Sequence, residues 1–194
     1  RIATNKGGII WHTQGSGKSL TMVWLARWIR ENISSSRILV ITDRTELDEQ
    51  IEGIFKGVKE DISRTSSGQD LLDKLNQTSP LLICSLIHKF GNKPGNKEED
   101  EGKEVEKRYD EYLQDINAHL PTGFSAKGDI YIFVDECHRT QSGLLHDAMI
   151  KIIPRGIFIG FTGTPLLRED KVTTREKFGE YIHCYKYDEA VRDG

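Results

Sequence analysis

The sequence predicts an α/β fold of three layers, in which helices cover both faces of a mostly parallel central sheet. Short apolar runs alternate with amphipathic stretches along the chain, and this alternation is typical of successive βαβ units. Polar, turn-forming segments follow several of the apolar runs, as expected where buried strands end. A length of 194 residues is sufficient for one large domain with a substantial core.

The individual elements follow from the hydrophobic periodicity. Strands are predicted at Gly8–Trp11, Arg37–Thr42, Leu81–Cys84, Ile130–Val134 and Ile157–Phe161, with a weaker one near Asp61–Ser63. Helices are predicted at Lys18–Glu31, Glu46–Phe55, Gln69–Leu75 and Leu144–Ile150. In the first helix Trp24 and Trp28 share a face with Leu20, so we expect both rings to be core groups rather than groups that stack on bases.

The stretch from residue 91 to about residue 128 interrupts the alternation. It opens with a segment rich in Gly, Asn and Lys, and passes through the acidic run Glu98–Glu101. We interpret it as a charged insertion, solvated in its first part, rather than as a dedicated binding element. The helix-prone part, Glu104 to His119, carries apolar residues that could pack back on the body of the domain.

Composition limits the classes of function. The net charge is −3 and no basic stripe is visible, so a large electrostatic footprint for nucleic acid is missing. The longest apolar runs, such as Ile130–Val134, are too short to cross a bilayer. Three widely spaced cysteines argue against a disulfide framework and favour a cytoplasmic location. Since the chain begins at Arg1 without Met, we expect it to be a piece of a larger protein.

A glycine-rich loop between the first strand and the first helix predicts a phosphate site. It spans Gln14–Ser19, and Gly15 and Gly17 allow successive N–H groups to point inward at anionic oxygens. The positive end of the helix dipole adds to this attraction. Lys18 is placed to reach the β- and γ-phosphates, and Ser19 to ligate Mg²⁺. The alternative is an ordinary turn at a helix start with a surface lysine.

Two carboxylates follow the apolar run Tyr131–Val134, at the edge where open α/β sheets bind ligands. Asp135 is a candidate Mg²⁺ ligand, because a strand-end Asp holds this ion in P-loop ATPases. Glu136 is placed to orient or deprotonate an attacking water. An Asp-Glu pair in this place is often only a helix cap, but behind a phosphate loop it indicates nucleotide hydrolysis.

A third polar cluster, Thr162, Gly163 and Thr164 followed by Pro165, lies at the end of the last predicted strand. Its hydroxyl groups can link the carboxylates to a neighbouring surface by hydrogen bonds. A plain turn is the alternative, because Thr-Gly-Thr-Pro has turn chemistry. The position after a buried strand favours the functional interpretation.

Together the three motifs resemble the first RecA-like domain of a superfamily 2 helicase or translocase, a P-loop NTPase fold. The flanking residues resemble more narrowly the motor (R) subunit of type I restriction enzymes, over nearly the whole chain except the insertion. The segments that carry this resemblance are Trp11–Ser19, Asp43-Arg44 with Leu47, Asp48 and Gln50, Asp135–Arg139, Gly160–Leu166, and the tail Phe178–His183 with Ala190–Gly194. His12, irregular for a general phosphate loop, is expected in this family, whereas Cys137 stands where Ala is commoner.

The resemblance implies ATP-driven translocation along double-stranded DNA, with Mg²⁺ as cofactor. It assigns ATP binding to Thr13, Gln14, Gly15, Ser16, Gly17, Lys18 and Ser19. Lys18 and Glu136 would be catalytic, and Ser19 and Asp135 would hold Mg²⁺. The cluster Thr162, Gly163 and Thr164 would couple the nucleotide state to the grip on DNA. Candidate contacts to the DNA backbone are Arg44, Thr45 and His88. The alternative for Arg44 is that it is an ordinary surface cation.

The resemblance also implies partners and boundaries. The partners would be methylation and specificity subunits in a bacterial or archaeal cytoplasm, and a nuclease domain would lie elsewhere in the parent chain. Residues 1–177 would form the first motor domain, and residues 178–194 would start the connection to a second RecA-like lobe that supplies an arginine finger. Without that lobe we expect feeble ATP hydrolysis or none.

Three other functions stay open at this point. Another superfamily 2 DNA or RNA helicase or remodelling ATPase would share all three motifs. A P-loop small-molecule kinase explains Lys18 but not the Thr-Gly-Thr-Pro segment. The alternative without catalysis is a nucleotide-gated scaffold within a complex.

Overall fold

The computed structural model describes residues 6–13, 15–42, 53, 55, 57, 61–86, 101–138, 140–164, 174–186, 189 and 192, with side chains from 101–106, 108–109 and 140–144 excepted. The strands are β1 Gly8–His12, β2 Ser36–Thr42, β3 Ser63–Arg64, β4 Leu82–Leu86, β5 Asp129–Val134, β6 Ile157–Thr162 and β7 Tyr181–Tyr185. The longer helices are α1 Lys18–Asn32, α2 Gly68–Leu75, α3 Glu101–His119 and α4 Thr140–Ile152. The predicted helix Glu46–Phe55 lies outside the described residues except at isolated positions.

The seven strands form one parallel sheet in the order β3-β4-β2-β5-β6-β1-β7. In the centre, Val40 of β2 is in register with Cys84 of β4 on one side and with Phe133 of β5 on the other. This confirms the predicted α/β class and its parallel sheet. The order also makes β5, β6 and β1 neighbours, so the three polar segments that follow these strands emerge side by side at one edge.

The core is divided between the two faces of the sheet. Ile38 and Val40 point to one face and pack in a cluster with apolar residues of α1. Leu39 and Ile41 alternate with them and join a second cluster that includes residues of α2, α3 and α4. Alternating strand residues thus bury both faces under helices, which produces the three predicted layers.

Helix α1 does not pack against the sheet with the face that carries Trp24 and Trp28, contrary to the prediction. Trp24 and Trp28 are 52% and 48% exposed, and Leu20 beside them is 47% exposed. The buried residues of α1 are Met22, Val23, Ala26 and Ile29. These residues follow helical spacing as closely as the tryptophans do, so α1 has two apolar stripes. The sheet covers the stripe without the tryptophans, and the prediction that Trp24 and Trp28 are core groups was wrong.

The helical part of the insertion, α3, does pack on the body of the domain. Tyr112 and Ile116 are fully buried, and the Tyr112 hydroxyl lies 3.1 Å from the Ser85 hydroxyl on β4. The Asp115 carboxylate accepts a hydrogen bond from the backbone N–H of Gly68, at the start of α2. A Cβ on Gly68 would lie 2.8 Å from the backbone of α3, so this glycine allows the two helices to touch.

Strand β7 was absent from the prediction. Its residues Tyr181–Tyr185 are only partly buried, so no clear alternation of buried and exposed positions marked the strand. It pairs in parallel with β1, and the sheet therefore continues past residue 177. Where the domain ends stays a prediction. No helix among the described residues is long and apolar enough to span a membrane.

A buried arginine holds the amino-terminal ends of the central strands to the loops beneath them. Arg37 on β2 is 2% exposed and, among the described residues, donates its hydrogen bonds to backbone carbonyls. The acceptors are Lys74, Leu75, Gln77, Pro80 and Lys127. The first two belong to the last turn of α2, where a cation is favoured by the helix dipole.

We predict that Arg37→Met destabilises the fold by about 3 kcal/mol, because it leaves several buried carbonyl oxygens without their donor. The measurement is the free energy of unfolding in urea, with an unchanged slope m as the sign that the transition stays two-state. Arg155→Met is the matched control, because Arg155 is exposed. Equal stability of the two variants would contradict this role of Arg37.

Candidate active site

The loop after β1 has the shape of a phosphate cradle. Gly15 and Gly17 adopt left-handed φ angles of 83° and 81°, and a Cβ on either would have no neighbour within 4 Å. The turn is closed by Ser16, whose N–H and hydroxyl both donate to the Thr13 carbonyl, at 3.1 and 2.5 Å. Because Gly15 and Gly17 have no side chains and the space in front of them is open, an anion can approach the backbone N–H groups of the loop.

Helix α1 starts directly from this loop. Its N-cap is Gly17, and no side chain caps it by a hydrogen bond. Gly17 itself offers no side-chain acceptor to the first N–H groups of α1, and the positive end of the helix dipole adds to their attraction for an anion. Ser19 lies half-buried in this first turn, next to Lys18.

Lys18 joins the loop to the carboxylates at the end of β5. Its Nζ lies 2.9 Å from Asp135 Oδ1 and 2.8 Å from Glu136 Oε1. Both carboxylates are buried, with residue exposures of 3% and 6%. Burial acts to lower the pKa of Lys18, but the charge of Asp135 and the hydrogen bond and charge of Glu136 outweigh it, so the pKa lies above its ordinary value. The ammonium group is therefore charged at neutral pH.

Glu136 is presented by an uncommon backbone conformation. Its φ is +50°, in the left-handed region that costs a residue with a Cβ about 1–2 kcal/mol. The residues on either side hold it in place: Asp135 N–H donates to the Ile41 carbonyl and Cys137 N–H to the Phe161 carbonyl, each at 3.0 Å. The turn after β5 is thus tied to both neighbouring strands.

His138 links this turn to the third motif. Its Nδ1 lies 2.9 Å from the Thr162 hydroxyl and 3.3 Å from Glu136 Oε2. Thr162 Oγ1 also donates to the Thr164 carbonyl and accepts from the Thr164 N–H, both at 3.1 Å. Sequence reasoning omitted His138 from the site, although its position directly after two carboxylates at a strand end was an available signal.

Cys137 fills the space next to a glycine in β6. A Cβ on Gly160 would lie 2.6 Å from Cys137 Sγ, so the two residues pack against each other without room for a methyl group. Burial, followed by the charges of Asp135 and Glu136, raises the pKa of the Cys137 thiol. An uncharged, buried thiol is a packing group here, which agrees with the small effect expected of replacing the commoner Ala.

The structure brings together the phosphate loop, Asp135, Glu136 and the Thr162 cluster, as the order of the strands requires. Gln14, Arg44, Thr45 and His88 lie outside the described residues. The roles of all these candidates stay predictions. Among the residues that the structure describes, no three His, Cys, Asp or Glu side chains converge as a metal site. A lysine, two carboxylates and a glycine-rich loop at one sheet edge are characteristic of a P-loop nucleotide-hydrolase domain.

The chain belongs to the SWI2/SNF2 ATPase family, whose sequence pattern matches residues 1–194. It is 31% identical, over 98% of its length, to the type I restriction enzyme SauMSSORF170P endonuclease subunit of Staphylococcus aureus strain MSSA476. The chain spans 19% of that relative's length. This likeness confirms the resemblance to type I restriction motor subunits.

Two solved structures share the fold. One is a nuclease-deletion mutant of the Type ISP restriction-modification enzyme LlaGI in complex with a DNA substrate mimic, with a TM-score of 0.63 at 16% identity over 99% of this chain and 19% of that chain. The other is the Hef helicase domain of Pyrococcus furiosus, with a TM-score of 0.57 at 12% identity over 94% of this chain and 35% of that chain. They confirm the RecA-like α/β fold.

We predict that Lys18→Met lowers the free energy of unfolding by about 3 kcal/mol at neutral pH, because it leaves two neighbouring buried carboxylates without their cation. Since the pKa of Lys18 is raised on folding, its contribution is complete at neutral pH and is lost only at alkaline pH, as the pH rises through the folded-state pKa.

The measurement is the stability of both proteins across the pH range. The deficit of Lys18→Met should shrink towards alkaline pH, where Lys18 of the wild type loses its proton. Lys127→Met is the control, since Lys127 is exposed. A deficit that is the same at every pH would contradict an electrostatic role of Lys18.

Proposed function

We propose that this chain is the ATP-binding motor domain of a type I restriction enzyme R subunit, which uses ATP hydrolysis to translocate double-stranded DNA before cleavage. The observation that carries the proposal is the contact of Lys18 with Asp135 and Glu136, because it joins a phosphate loop to the groups that nucleotide hydrolysis needs. The likeness to the S. aureus subunit favours a type I restriction motor over another superfamily 2 motor.

The residues fit a complex of ATP with Mg²⁺. Phosphate oxygens would enter the open space in front of Gly15 and Gly17, among the N–H groups of the loop and of α1. The Ser19 hydroxyl and the Asp135 carboxylate are oxygen ligands of the kind that Mg²⁺ prefers, so we assign the ion to them. When bound, Mg²⁺ supplies charge neutralisation at the β- and γ-phosphate oxygens.

In this proposal Lys18 exchanges partners when nucleotide binds. Its ammonium group, which lies between two carboxylates, would turn towards the γ-phosphate and release Glu136. The freed carboxylate then orients the attacking water and accepts its proton. His138, in contact with both Glu136 and Thr162, passes the displacement of Glu136 to the cluster Thr162, Gly163 and Thr164.

The wider assignments rest on the family likeness. We propose that the DNA backbone is contacted by Arg44, Thr45 and His88, and that methylation and specificity subunits complete the enzyme in the cytoplasm of a bacterium or archaeon. The nuclease and a second RecA-like lobe with an arginine finger belong to the remainder of a longer subunit, since the S. aureus relative is about five times the length of this chain.

Glu136→Gln tests the catalytic assignment in the complete subunit. The amide cannot accept the proton of the attacking water, so ATP turnover should fall about 10²–10⁴-fold while ATP binding is kept. Steady-state hydrolysis and nucleotide binding are measured together, with Glu31→Gln on the exposed surface of α1 as the control. Turnover close to that of the wild type would refute the role of Glu136.

Triplex displacement tests the motor itself. The complete enzyme, given ATP and a duplex that carries a bound third strand, should displace that strand, and Lys18→Ala should abolish both displacement and ATP turnover but keep DNA recognition. DNA-stimulated turnover separates motors from a kinase or a scaffold. Separation of duplex strands without triplex displacement would favour another superfamily 2 helicase instead.

A further inference from the structure

The strand that the sequence did not predict lies against the phosphate loop. At the carboxyl end of β7, the Tyr185 carbonyl accepts a hydrogen bond of 3.2 Å from the N–H of Thr13, the residue directly before the loop. The His12 ring, at the end of β1, lies against the Tyr185 ring with 5.6 Å between centroids. An edge strand thus contacts the segment that is to receive phosphate.

A chain of side-chain hydrogen bonds continues this contact into α1. His12 Nε2 lies 3.1 Å from Nδ1 of His183 on β7, and His12 Nδ1 lies 3.5 Å from the Thr21 hydroxyl. The Thr21 hydroxyl donates to the carbonyl of Gly17, at 3.2 Å. The path therefore runs from β7 through His12 to the residue that caps α1.

The hydrogen bonds fix the direction of this path. Because the Thr21 hydroxyl proton is directed to the Gly17 carbonyl, we assign His12 the tautomer that donates to Thr21 through Nδ1–H. In a neutral His12 the other nitrogen, Nε2, is then an acceptor, so His183 donates to it through Nδ1–H. Burial and the charge of His183 lower the pKa of His12, which agrees with a neutral ring.

We propose that His183 is a positioning residue for nucleotide binding: it orients His12, and through Thr21 it holds Gly17 in the shape that receives phosphate. This inference rests on the proposed function. By linkage the effect is reciprocal, so bound nucleotide must also hold β7 on the edge of the sheet. The last strand of the chain's sheet thereby responds to the state of the phosphate loop.

The test uses nucleotide affinity in the complete subunit. His183→Leu removes the donor and should raise the KM and the Kd for ATP about threefold to tenfold, with kcat little changed, because one hydrogen bond that shapes the loop is lost. His183→Asn should restore the wild-type values, since its amide N–H occupies the place of Nδ1–H. The matched control is His119→Ala, because His119 is an exposed histidine of α3.

A second readout does not depend on turnover. Amide hydrogen exchange in β7 should slow when ATP is added to the wild type and to His183→Asn, and this protection should be lost in His183→Leu. Thr21→Val should act in the same direction, and the effect of the double variant with His183→Leu should be smaller than the sum of the single effects. Should His183→Leu fail to fold, Thr21→Val alone tests the path.

The outcomes separate this inference from the function on which it rests. An unchanged affinity for ATP in His183→Leu, or equal losses in the Leu and Asn variants, would overturn the positioning role. Absence of ATP turnover in the wild-type subunit, or full turnover in Lys18→Ala, would overturn the proposed function instead. A loss of affinity that Asn restores, together with ATP-dependent protection of β7, supports the inference.

Discussion

The ion pairs between Lys18 and two buried carboxylates are the interaction on which the rest of this site depends. The Lys18 ammonium group lies within 3 Å of both carboxylates where the sheet ends, and its positive charge offsets part of the cost of burying them. The parallel sheet makes this possible, because β1 and β5 end at the same edge with only β6 between them. In the proposed function, phosphate would offer Lys18 an alternative anion, and Mg²⁺ would offer Asp135 an alternative cation.

Several local conformations support this contact between Lys18 and the two carboxylates. Glu136 keeps a left-handed backbone that is unfavourable by itself, and hydrogen bonds to β2 and β6 hold it there. His138 lies between Glu136 and Thr162 and contacts both, which links the ends of β5 and β6. On the other side of the loop, His12 and β7 constrain Gly17. The site is therefore held from both neighbouring strands of β1, rather than by the loop alone.

Prediction from sequence succeeded where one strong local signal determined the outcome. Apolar runs located the central strands, and the polar residues after them identified the strand ends, because burial on both faces leaves little ambiguity. It failed for Trp24 and Trp28, since α1 carries two apolar stripes and only packing decides between them. It missed β7, a short, partly exposed strand that pairs with β1. The contacts of His138 with Thr162 and of His183 with His12 join residues far apart along the chain, and local patterns do not report such contacts.

The two edge strands of the sheet affect how readily the chain associates with other molecules at high concentration. A parallel sheet presents unpaired backbone groups along both outer strands, and such edges can recruit strands of other molecules. In the part of the chain that the structure describes, one edge is β3, two residues long, and the other is β7, five residues long and partly buried. Neither of these described edges is a long, flat strand, and short edge strands recruit strands of other molecules less readily.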